Sequence, residues 1–227
     1  MGELPALGLA MRLEASLGRR SPTREEIEEF FESLGDWRYA SVMVEPAYVG
    51  SSRPTLNALG QRLATVVAYP LGAMTTQAKV LQAEQALEDG ADELDVAMDL
   101  SAFRSGDYQR VIDDLTAVRR LADVGAVKAI YYAAALSDEE SLRAAELVGE
   151  AGVTFLVTNA GSSGRTTTHH IELIRQHFGS ALQLMAWGEV DSRADALAML
   201  AAGADRIGTS SLAEVLGPGA RDRQGLT

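Results

Sequence analysis

Cysteine is missing from all 227 residues, so disulfides, thiolate metal sites and a cysteine nucleophile are excluded, and a reducing, cytoplasmic setting is the expected one. Lysine is nearly missing: the sequence holds only Lys79 and Lys128. No apolar run approaches the roughly 20 residues that span a bilayer. The opening stretch MGELPALGLAMRLEASLGRR carries an acid at Glu3 and breaks its apolar run at Arg12 and Glu14, unlike a signal peptide. Basic runs are lacking too. Twenty Lys and Arg stand against 32 Asp and Glu, net charge −12, and the bases are scattered without interleaved aromatics. Phosphate contacts need concentrated positive charge, so nucleic acid is not an expected partner. The acid excess reads as a solvated surface, and a soluble protein is expected. The three histidines, His169, His170 and His177, fall on one predicted helix and its start, away from strand ends, and read as surface residues. No metal or other cofactor is expected.

What the sequence does contain is a repeated junction, in which a helical pattern stops at a glycine and a strand-like run begins two or three residues later. It occurs as EDGADELDV at Gly90, DVGAVKAIYY at Gly125, EAGVTFLV at Gly152 and AAGADRIGT at Gly203. Glycine suits the position past a helix end because the left-handed conformation there costs it no Cβ clash. Between junctions the apolar spacing is helical: Val111, Leu115, Val118 and Ala122 on one segment, Val80, Ala83 and Leu87 on another. Helix starts are marked by Thr23, by Ser137 or Asp138, and by Asp191 or Ser192. Strands are predicted at 9–13, 40–44, 64–68, 93–96, 127–132, 155–157, 183–186 and 205–207. Eight strands alternating with helices favour an α/β fold of the closed parallel (β/α)8 barrel type, a TIM barrel. An open dinucleotide-binding sheet would want G-x-G-x-x-G after its first strand, and that turn is absent. The expected organisation is one barrel over residues 1–216 with a loose tail at 217–227.

In such a barrel the working face lies at the C-terminal ends of the strands, and phosphate commonly binds after strands seven and eight. Gly208, Thr209, Ser210 and Ser211 open a helix there and offer backbone N–H groups and hydroxyls, a candidate anion cradle; a plain helix cap is the alternative.

Six segments resemble the deoxyribose-phosphate aldolase family, in order and spacing: ASVMVEPAYV, TVVAYPLGAMTTQAKV, GADELDVAMDLSAFRSGDY, VKAIYYAAALSDEE, AGVTFLVTNAG and EVDSRADALAMLAAGADRIGTSS, together spanning about residues 40–211. The resemblance implies an aldolase-type barrel in which one lysine forms a Schiff base, a second lowers its pKa, and an aspartate moves protons. Carried over, the aspartate is Asp95 and the following threonine of the lysine motif is Thr158, with Asn159 beside it. The Schiff-base position itself falls on Val157, and its partner lysine on Met185. Trp187 and Glu189 stand where the family's phosphate loop has serine and glycine, while Gly208–Ser211 keep their character. Glu14 replaces an inward aspartate of the first strand, and Asp99 stands near a usual asparagine.

Of the two lysines, Lys79 follows the third strand on a helix and is expected to be solvated. Lys128 alternates onto the inward face with Ile130 and Tyr132 and can pair with Asp95. Glu14, Glu45, Asp95 and Asp99 could crowd the mouth. Such a cluster suits a hard cation or, in the alternative, a cationic or hydroxyl-rich ligand lined by Tyr69, Tyr132, Arg165 and Trp187. The resulting expectation is a diverged barrel enzyme acting on a carbonyl or sugar-like molecule by acid/base chemistry at Asp95. The alternatives are a non-catalytic binding subunit and an aldolase that uses Lys128 as its amine. Barrels of this family often pair, so a homodimer is open.

Overall fold

The computed structural model describes residues 5–18, 21–123, 126–159 and 164–217. Eight parallel strands close into a barrel in sequence order: β1 Leu13–Ser16, β2 Ser41–Met43, β3 Leu63–Val67, β4 Glu93–Ala97, β5 Val127–Ile130, β6 Phe155–Val157, β7 Gln183–Ala186 and β8 Arg206–Thr209. The helices are α1 Ala6–Ala10, α2 Arg24–Ser33, α3 Val49–Ala58, α4 Thr76–Glu88, α5 Leu100–Arg104, α6 Tyr108–Arg119, α7 Asp138–Glu150, α8 Thr168–Phe178, α9 Arg193–Ala202 and α10 Leu212–Leu216. This is the (β/α)8 architecture that the alternation predicts.

Local chemistry sets the helix starts. Thr23 and Glu26 form a capping box at α2, as do Ser137 and Glu140 at α7, and Ser192 caps α9 through the Asp195 N–H. Gly90, Gly152 and Gly203 take positive φ after their helices, whereas Gly125 lies outside the described residues. So does the predicted tail, apart from Gly217.

Three expectations are corrected. The first strand was expected at 9–13, but Leu9 and Ala10 belong to α1 and the strand starts at Leu13. A short apolar run carries too little periodicity to separate the two states, and pairing with β2 and β8 decides the matter, with Glu14 opposite Ser41 and Gly208. On α4 the buried stripe is Lys79, Ala83 and Ala86, not Val80, Ala83 and Leu87. Lys79 is fully buried instead of solvated, because Asp114 of α6 meets its ammonium at 2.6 Å while also accepting from Thr76. A buried lysine persists only when paired and hydrogen-bonded in this way.

Candidate active site

Alternation along each strand sends every second residue into the barrel, and the inward side chains stack in layers of four. The deepest holds Ser41, Glu93, Phe155 and Arg206; Glu14, Ala64, Lys128 and Met185 lie above it. The next layer, Met43, Asp95, Val157 and Gly208, forms the floor of a cavity of about 990 Å³ at the C-terminal mouth. Ser16, Val66, Ile130 and Trp187 form its lower wall.

Beneath the floor sits a charge network. Lys128 Nζ lies 2.8 Å from Asp95 and 3.0 Å from Glu93 and forms a short contact with Glu14, which also accepts from Ser41 at 2.7 Å. Arg206 grips both Glu93 oxygens at 3.0 and 2.8 Å and lays its guanidinium over Phe155, 5.0 Å from the ring centroid. Arg62 adds a contact to Glu93 at 3.1 Å. Burial pushes the Glu93 carboxyl upward, but Lys128 and Arg206 outweigh it and bring the pKa down to about 2. Glu14 and Asp95 are left to share one ammonium. For Asp95, burial and the negative charges of Glu14 and Glu93 overcome Lys128 and hold its pKa well above the carboxylate range. Its Oδ1, although close to Lys128, takes no hydrogen bond. The Lys128 ammonium is itself disfavoured by burial, yet Asp95, Glu14 and Glu93 more than compensate and raise its pKa. This lysine is fully buried, fully charged and absent from the cavity wall.

The cavity rim is fixed by a hydrogen-bonded clasp between the segments after β6 and β7. Thr158 Oγ1 accepts from the Trp187 N–H at 3.0 Å and lies 2.9 Å from its carbonyl and 2.7 Å from Thr166 Oγ1. Asn159 donates to Thr166 Oγ1 at 2.8 Å and accepts from the Ala134 N–H at 3.1 Å. The clasp holds the Trp187 indole against Gly208, so closely that a Cβ there would sit 1.6 Å from the ring. In the Gly208–Ser211 segment, Thr209 Oγ1 donates to the Val190 carbonyl at 2.8 Å and accepts from the Ser211 N–H at 3.0 Å, while Ser211 Oγ pairs with Asp191 at 3.1 Å. Glu189 is exposed and holds a left-handed backbone, φ +55°.

Of the predicted site residues, Asp95, Val157, Asn159, Tyr69, Trp187, Glu189, Gly208, Thr209 and Ser210 line the cavity. Met185 is buried one layer down. Tyr132 is buried with a positive φ, and its hydroxyl donates to the Pro70 carbonyl instead of reaching the cavity. Arg165 points outward and pairs with Asp195 at 3.2 Å, so it does not line the mouth. Nor do the four acids gather as one cluster: Glu14 lies below the floor, Glu45 on the rim, and Asp99 caps α5 and pairs with Arg110. Among the described residues no group of three or more such side chains is arranged to hold a metal ion. His169 and His177 are exposed and His170 is half-buried on α8. The reading of the sequence missed Glu93 and Arg206; each stands two residues before a singled-out position, Asp95 and Gly208, so strand alternation alone could have placed both in the barrel.

Comparison with known proteins agrees with this fold. The model of the DeoC/LacD family aldolases matches residues 8–174. A deoxyribose-phosphate aldolase from Streptococcus equi subsp. zooepidemicus is 36% identical over 200 residues, 88% of this chain and 91% of that one. Another, from Caldanaerobacter subterraneus subsp. tengcongensis, is 34% identical over 210 residues, 90% of each. Among solved structures, the aldolase QR15 superposes with a TM-score of 0.86 at 31% identity, covering 96% of this chain and 99% of its own. The deoxyribose phosphate aldolase of Aeropyrum pernix superposes with the same score at 26% identity, covering 95% and 92%.

Proposed function

Because the chain belongs to the DeoC/LacD aldolase family, we propose that it acts on a carbonyl or sugar-like small molecule in the mouth cavity by acid–base chemistry at Asp95, without a Schiff base at position 157. The observation that carries this reading is the cavity floor. Asp95 faces the cavity beside Val157, while Lys128 is sealed one layer below. An imine needs a neutral amine that an aldehyde can reach; Lys128 is charged, held by Glu14, Glu93 and the Asp95 carboxyl, and covered. The reading therefore prefers Asp95 over Lys128 as the working group.

A carboxylic acid kept neutral by its surroundings donates a hydrogen bond to a carbonyl oxygen and stabilises the charge that develops there as an α-proton passes to a water or buffer base in the cavity. Asp95 has the burial and the place in the cavity floor for that role, and the Lys128 ammonium 2.8 Å from its Oδ1 holds it in place. Thr158 supports it at one remove, by fixing the segment that carries Trp187.

The test is exchange of α-protons. Hydroxyacetone or acetaldehyde in D2O should lose α-proton NMR signal faster with the protein than without it, and Asp95→Asn should abolish the acceleration while retaining the circular dichroism of the parent. Exchange that persists in Asp95→Asn, or cleavage of 2-deoxyribose 5-phosphate accompanied by a borohydride-trapped adduct on Lys128, would overturn the reading.

A further inference from the structure

We propose that Glu14 is a positioning residue for Asp95: together with Ser41 it keeps a proton shared by the barrel interior on the Asp95 carboxyl, which is thereby presented as an acid at the cavity floor. The inference rests on the reading of Asp95 as the working group and deepens it.

The eight strands carry three acids, Glu14, Glu93 and Asp95, and two bases, Lys128 and Arg206. Arg206 engages both Glu93 oxygens, and the half-exposed Arg62 adds its contact to the same carboxylate. Lys128 is then the ammonium that Glu14 and Asp95 have between them. Two carboxylates on one sealed ammonium would leave an uncompensated negative charge in the interior, and binding one proton removes it at far lower cost than desolvating an unpaired ion. The acids of the mouth, Glu45, Glu189 and Asp191, are exposed on the rim, where water screens them, and their sign also favours a bound proton.

Which carboxyl holds that proton follows from the donors each one meets. Glu14 Oε2 accepts from the Ser41 hydroxyl at 2.7 Å and from Lys128, and such donors favour a charged carboxylate. The other Glu14 oxygen takes no hydrogen bond, so the discrimination lies at Oε2. Asp95 Oδ1 lies 2.8 Å from the same ammonium and takes no hydrogen bond. Glu14, Ser41 and Lys128 are fully buried and Asp95 is 1% exposed, so water does not even out the difference. The proton therefore rests on Asp95, in line with the burial and the neighbouring Glu14 charge that raise its pKa. With both carboxyls on one ammonium, the charge of Glu14 changes the proton affinity of Asp95 by roughly tenfold or more.

Carboxyl-carbon NMR of the full chain, labelled with carbon-13 in aspartate and glutamate, tests this without turnover; Asp95→Asn and Glu14→Gln assign the two signals. In the parent the Asp95 carbon should titrate above the ordinary carboxylate range and carry nearly all of the response. Glu14→Gln keeps the shape and loses the charge, and should lower the proton affinity of Asp95 by about tenfold or more, with a melting curve showing that the variant folds. Ser41→Ala, a milder change, should divide the titration between the Asp95 and Glu14 carbons. An Asp95 carbon that titrates with the exposed aspartates of the parent, a midpoint that Glu14→Gln leaves unchanged, or a Ser41→Ala response still confined to Asp95 would each overturn the proposal. These signals need no substrate. A failure of α-proton exchange would therefore sink the catalytic reading and leave the shared proton standing, and the two ideas fail separately.

Discussion

Replacing Lys128 by methionine keeps most of the side-chain volume and removes the positive charge at the centre of the barrel. The ammonium meets Asp95 at 2.8 Å and Glu93 at 3.0 Å, with Glu14 also in contact. At an effective dielectric of about 20 the pair with the ionised Glu93 is a gross attraction of about 5–6 kcal/mol. Most of that is cancelled in the intact protein by the desolvation of the partners. The cancellation fails when one partner leaves, and removing one member of a buried ionic cluster costs about 3–5 kcal/mol. Against a total stability of about 5–15 kcal/mol this is a large fraction, and for a chain of this size it lowers the melting temperature by roughly 6–20 °C.

The loss should depend on pH. A carboxyl whose folded pKa is raised, as that of Asp95 is, binds more protons folded than unfolded; its contribution to stability is present below the unfolded pKa and lost as pH rises through the folded one. Taking Lys128 away strengthens that trend. The deficit of the Lys128→Met variant, measured by urea unfolding, should therefore be larger at about pH 7 than at about pH 5. A loss below about 1 kcal/mol at neutral pH, with the denaturant slope unchanged, would refute the view that Lys128 neutralises the barrel core.

Other substitutions probe the same architecture from different sides. Val157→Lys places an amine on the cavity floor, so incubation with acetaldehyde and borohydride should label residue 157 of the variant and leave the parent unlabelled by mass spectrometry. Glu93→Gln removes a carboxylate whose pKa is depressed to about 2; such a group stabilises above its unfolded pKa and loses that contribution as pH falls toward 2. The variant should be less stable by about 3 kcal/mol at neutral pH and converge on the parent in strong acid, as chemical denaturation across pH would show. Glu189→Gly relieves a left-handed backbone and should raise stability by about 0.5–1 kcal/mol; a drop in the melting temperature would mean that the Glu189 side chain has stabilising contacts that outweigh its strain.

Much of the molecule was legible in the sequence because the relevant forces are local. Glycine stops, capping residues and apolar periodicity marked seven of the eight strands close to their observed places, and strand alternation put Lys128 and Asp95 on one inward face. That position 157 holds valine is a fact of sequence alone. Other features depend on closure. Lys128 meets Glu14 across 114 residues, Arg206 meets Glu93 across 113, and Lys79 meets Asp114 across 35. No periodicity encodes those distances. Whether a lysine is solvated or sealed is decided by which carboxylate the fold brings to it, since a charge enters the interior only with a partner. The same closure set the first strand by pairing it to both neighbours and turned Arg165 outward to Asp195. It also laid Trp187 on Gly208. A parallel barrel with Asp95 facing inward and valine at 157 follows from local patterning and residue identity; that Lys128 lies locked beneath the cavity and that Glu45, Glu189 and Asp191 share its wall follows only from closure, because those side chains meet only when the barrel shuts.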